Sequence, residues 1–165
     1  MPRPLTDLQA MLAAMDPRPH EGVYVYAVLP RGEVPPGMNP VATMREAEGL
    51  TVILPEAEAR AHHLEPRFRA AWITLEVPSA LEAVGLTAAF AGALARAGLS
   101  CNVVAGTHHD HLFVPVAQRD AALAALRDAD QCEADVDDAW ATNAYAVHGL
   151  ATASRAVGAH LTTIS

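Results

Sequence analysis

The chain of 165 residues contains no lysine; its 11 basic residues are all arginine, set against 19 acids for a formal net charge of -8. The arginines form no basic cluster, so nucleic acid and anionic membrane surfaces are not expected as partners. Long apolar runs are missing too, and nothing approaches the ~20 residues a bilayer-spanning helix needs. The first residues hold no continuous apolar core, because Asp7 and Gln9 interrupt it, and they read as mature sequence rather than a secretory signal. Cysteine is scarce. Cys101 and Cys132 make no CxxC pair, which argues against a disulfide framework and for a reducing, cytoplasmic setting. Charged residues are only 18% of the chain while 52% are hydrophobic, the balance of a folded globular protein.

Catalytic signatures are likewise lacking. There is no phosphate-binding loop, no GxGxxG fingerprint, no GxSxG elbow and no HExxH. An enzyme is therefore not expected.

What is present centres on residues 72–116. Trp72, Thr74 and Glu76 alternate with Ile73, Leu75 and Val77, the period of a half-buried strand that Pro78 ends. From Leu86 the period changes. Leu86, Phe90, Ala93, Leu94 and Ala97 share a helical face, and Gly98 suits the left-handed residue beyond a helix end. Cys101–Ala105 and His111–Val116 read as two further strands around turn residues Gly106–Asp110, and Arg119–Ala129 as a closing helix. The resulting β-α-β-β-α order is that of a ferredoxin-like unit.

The first half reads as a shortened version of the same plan. Thr6 or Asp7 caps a helix carrying Leu5, Leu8, Leu12 and Met15, closed by Asp16-Pro17. Strands follow at Gly22–Leu29, Ala42–Glu48 and Leu50–Leu54, then a helix opened by Pro55-Glu56 and ended before Pro66. The fold class is α+β: two ferredoxin-like βαββαβ lobes sharing one sheet system, the first shortened, with antiparallel sheets and helices on one face. The lobes are assigned to residues 1–70 and 71–130. Residues 131–165 form a tail whose apolar residues show no sustained period.

Three groups of residues invite a functional reading. The turn Pro78–Thr87 precedes a helix whose first N–H groups and positive dipole end suit a carboxylate without any basic side chain. Gly85 permits close approach of a ligand, Ser79 offers a hydroxyl and Glu82 can meet an ammonium, so the set suits a zwitterion such as a free amino acid; an ordinary capped helix is the plainer alternative. Asn102, at the start of the next strand, is read as lying near the same end of the sheet. Second, His108-His109-Asp110-His111, with His62-His63 elsewhere, invites a metal. Adjacent strand residues point to opposite faces, however, so a polar hairpin is preferred. Third, Cys101 with His108 or His109 is a poor nucleophile candidate, since its strand is apolar.

The stretch SALEAVGLTAAFAGALARAGLSCNVVAGTHHDHLFVPVAQRDAALAAL, with GLTVILPEAEA before it, resembles the small stand-alone bacterial ACT-domain proteins that carry two ACT-like lobes. These are related to the regulatory ACT domains of aspartate kinase. The likeness spans Leu5 to Ala129 and leaves the tail out. It implies a non-enzymatic regulatory or sensory module that binds amino acids where lobes or subunits meet, without a cofactor and commonly as a homodimer. It also implies a ligand against the turn into the helix and the start of the next strand, at Ala83, Val84, Gly85, Leu86 and Asn102; Ser79 and Glu82 come from the residue reading above. Two alternatives stand beside it: a ligand-free interaction module with a docking tail, and a metal-dependent enzyme built on His108–His111.

Overall fold

Asp7 opens the first helix as its side chain predicts: its Oδ1 accepts the N–H of Ala10 at 2.9 Å, capping α1 (Leu8–Ala13). In the computed structural model, residues 7–77 and 84–128 are described, all of them within one compact unit, Met1–Asp130.

Beyond α1 the structure departs from the sequence reading. Asp16-Pro17 does not merely stop the helix; Asp16–Pro19 is a strand, β1, paired antiparallel with β5 (Phe68–Glu76). Two prolines fit there because they occupy alternate positions opposite Leu75 and Ile73. The ladder runs on past the strand, where the His20 amide donates to the Trp72 carbonyl at 2.9 Å.

The remaining strands are β2 (Tyr24–Leu29), β3 (Ala42–Glu46), β4 (Gly49–Pro55), β6 (Asn102–Ala105) and β7 (Asp110–Pro115). They run in the order β3-β4-β2-β5-β7-β6, and every pairing is antiparallel. β1 and β2 both lie along β5, at Ile73–Glu76 and Phe68–Ala70 respectively. The connection between β2 and β3 is a proline- and glycine-rich loop, as its composition requires. Three more helices complete the α+β fold: α2 (Glu56–Ala61), α3 (Leu86–Arg96) and, after a short 3-10 turn at Val116–Gln118, α4 (Arg119–Arg127).

All four helices pack on one face. Under α1, α3 and α4 lie Ala71, Ile73, Leu75, Leu112 and Val114, together with Met11, Leu12, Phe90, Leu94 and Leu126. Under α2 lie Val25, Ala27, Leu50, Val52 and Leu54. The alternate residues of the same strands make the opposite face, where Tyr24, Tyr26, Phe68 and Trp72 pack around Ile53, Ala70 and Phe113. α1 and β1 thus pack with the C-terminal half, and the expected lobe boundary at residue 70 falls inside β5.

Candidate functional site

The turn into α3 is set by Gly85. It stands at the N-cap with φ +101°, a conformation that L side chains avoid, and a Cβ built on it would lie 3.0 Å from Cδ2 of Leu8 on α1. Among the described residues no side chain caps α3, and its first turn carries no acid. The other helices differ: Asp7 caps α1, Glu56 and Glu58 lie in the first turn of α2, and Asp120 in that of α4. Each offers its own helix end a negative charge; among the described residues α3 shows none of this kind.

Of the expected ligand residues, Ser79, Glu82 and Ala83 lie outside the described residues. Val84 is 80% exposed beside Gly85, whereas Leu86 is 3% exposed and belongs to the core, leaving only its backbone for a ligand. Asn102 is exposed, and its placement needs correction. The register sets it opposite Phe113, which is opposite Trp72 in the middle of β5, while Ala105 is the β6 residue level with Leu75. The start of β6 therefore lies away from the end of β5 that leads into the Gly85 turn. The cause is the crossover itself: α3 carries the chain back along the sheet before β6 begins.

The histidine-rich hairpin is resolved differently from a metal site. Gly106 N–H donates to the His109 carbonyl at 2.9 Å and closes the turn. His111 leaves the hairpin on the open face of the sheet, where its Nδ1 accepts the indole N–H of Trp72 at 3.2 Å and lies 3.0 Å from the Thr74 hydroxyl. That hydroxyl is in turn 2.8 Å from Nε2 of His20, whose ring stacks on Trp72 at 3.5 Å between centroids and 6° between planes. Burial pushes the imidazoles of His20 and His111 below their ordinary range, and Asp110 above its own. Among the described residues no three His, Cys, Asp or Glu side chains are placed to hold a metal, which leaves the alternative reading of His108–His111 as a metal centre without support from the geometry.

Burial likewise lifts the Cys101 thiol to about 11, leaving it protonated at neutral pH and a poor nucleophile. Tyr26, on the same open face, is pushed up to about 12, and its hydroxyl is buried with no hydrogen-bond partner among the described residues. Sequence reasoning missed the linkage of His20, Trp72, Thr74 and His111. Alternation placed Trp72 and Thr74 on one face, but His20 follows a proline pair read as a break, and only the pairing with β5 brings it across.

Comparison with known proteins bears on this arrangement. Two ACT-domain family models match, one over residues 4–71 and the other over residues 67–128. No curated protein sequence matches. Among solved structures, a Vibrio cholerae protein of unknown function, VC0802, described as a possible transport protein, is 42% identical. The match covers 74% of this chain and 95% of that one with a TM-score of 0.67. Atu0741 from Agrobacterium tumefaciens shares the fold at 20% identity, over 70% and 89% of the two chains with a TM-score of 0.54. So does the allosteric aspartate kinase of Clostridium acetobutylicum, at 10% identity over 70% of this chain and 34% of that one with a TM-score of 0.52.

Proposed function

Because the chain belongs to the ACT-domain family, whose members are small-molecule-binding regulatory modules rather than catalysts, we propose that it is a non-enzymatic, cytoplasmic amino-acid sensor. The ligand's carboxylate is held by the free N–H end of α3 at Gly85, Leu86 and Thr87, beside Val84. Its ammonium meets the acidic side chain of Glu82, with Ser79 and Ala83 lining the same turn. The observation that carries this reading is the contrast among helix starts: α3 alone, among the described residues, brings no acid of its own to its N-terminus. Asn102 belongs to this site only if a second copy presents it, because its own strand starts away from the Gly85 turn. The sensor therefore works as a homodimer, a state supported by β3 and β6, which pair on one side only among the described residues.

The test is a thermal-shift screen of the full chain against the twenty amino acids at millimolar concentration. A ligand at 100 times its Kd adds about 2.7 kcal/mol to stability, so one amino acid or a related few should raise the midpoint clearly. Sedimentation of the liganded chain should then give a dimer. A flat response to all twenty overturns the sensor.

A further inference from the structure

Two strands, β5 and β7, and the β1–β2 connection meet in one run of hydrogen bonds on the open face of the sheet, and the Trp72 indole fixes its direction. The indole Nε1 of Trp72 can donate but never accept, so Nδ1 of His111, 3.2 Å away, must carry a lone pair. His111 is then neutral with its proton on Nε2. The Thr74 hydroxyl, 3.0 Å from that same Nδ1, donates to it and keeps its oxygen as acceptor. His20 must accordingly donate from Nε2 across 2.8 Å to Thr74. Every donor points toward His111, which is the terminal acceptor.

We propose that His111 is a proton-operated latch. In its neutral form it ties the β1–β2 connection, through His20 and Thr74, and the Trp72 indole to β7. On protonation Nδ1 becomes a donor: the Thr74 hydroxyl turns to accept from it, as it already accepts from His20, while the indole N–H loses its acceptor and is released. Protonation of His20 alone breaks nothing, because its Nε2 already donates. The two histidines are unequal by geometry.

The electrostatic surroundings set where the latch works. Facing it from β1 are Asp16 and Arg18, paired with each other at 2.6 Å, and Arg18 also lies 3.7 Å from Glu76 on β5. Glu76 favours the charged form of His20, while His111 disfavours it. From the hairpin, His109 opposes protonation of His111 and Asp110 favours it; His108 stands beside His109 on the same turn, and Tyr24 of β2 abuts Trp72 without adding charge. Burial outweighs all of these for His111, so the latch stays closed at neutral pH and opens on acidification below 6.5.

The experiment is a pH titration of the full-length protein by NMR, following histidine ring nitrogens and indole N–H signals, with Trp140→Phe identifying the Trp72 signal. At pH 7.5 His111 should show a bare Nδ1 and a protonated Nε2. It should titrate below 6.5, with the Trp72 indole signal moving along the same curve. In His111→Gln, whose amide oxygen accepts but does not titrate, the Trp72 signal should stop following pH; in His20→Gln it should still follow. A His111 proton on Nδ1 at neutral pH, titration at or above 6.5, or an indole signal indifferent to His111 would each sink the latch. The wild-type titration decides even where a variant folds poorly, and no amino-acid ligand enters it.

Discussion

Gly85 and Gly98 both have positive φ, +101° and +71°, yet they bear different loads. Nothing lies within 4 Å of a Cβ at Gly98, whereas one at Gly85 presses on Leu8 at 3.0 Å. Gly98→Ala should therefore cost only the left-handed conformation, about 1–2 kcal/mol. Gly85→Ala should cost more, and pairing it with Leu8→Ala should recover the excess. Urea unfolding of the two single variants and the double variant measures that coupling. Additive losses would mean that Leu8 does not crowd the turn. Gly98 was legible from the sequence because the end of α3 is local: its N–H donates to Ala95 and that of Leu99 to Leu94, both at 2.9 Å. The contact between Gly85 and Leu8 was not, since it joins residues far apart in the chain.

Among the elements, α3 packs a face into the core while β6 is an exposed edge strand. Phe90 is 0% exposed at the centre of the α3 face, so Phe90→Ala should remove about 3–5 kcal/mol from unfolding stability. Val103 on the edge strand β6 is 37% exposed, and Val103→Ala should cost well under half as much in the same denaturant titration. Comparable losses would contradict the packing described. The periodicity of α3, β2, β4 and β7 gave these elements away because each carries its own apolar pattern. β1 carries none. Asp-Pro-Arg-Pro has no strand signature, and its only reason for extension is the ladder it makes with Asp16 opposite Glu76 and Pro19 opposite Ile73. Asn102 was misplaced for a related reason: the type of each element was readable, but which end of the sheet α3 returns the chain to depends on the crossover.

Over the whole molecule, the depressed imidazoles of His20 and His111 make stability depend on pH. Their folded forms resist protonation while the unfolded chain takes protons near 6.5, so their contribution is complete above 6.5 and is lost as pH falls toward the folded values. Asp110, raised by burial, works with the opposite sign but in the carboxylate range. The melting temperature should thus decline as pH drops below 6.5, and His111→Gln should flatten that decline; a melting temperature constant down to pH 5 would refute the linkage. The α+β class and the second half's β-α-β-β-α order were readable from the sequence, because each depends on local periods and short connections. The attachment of α1 and β1 to the second half was not, for it is fixed by Met11 and Leu12 filling space beside Phe90 and Leu126. That attachment has a consequence for biosynthesis. Met11 and Leu12 leave the ribosome early, yet the residues that cover them extend to Leu126. At about 5–20 residues per second, the nascent chain carries this apolar segment uncovered for roughly 5 to 25 seconds. The interval in which it is open to chaperones is therefore set by the arrival of Leu126.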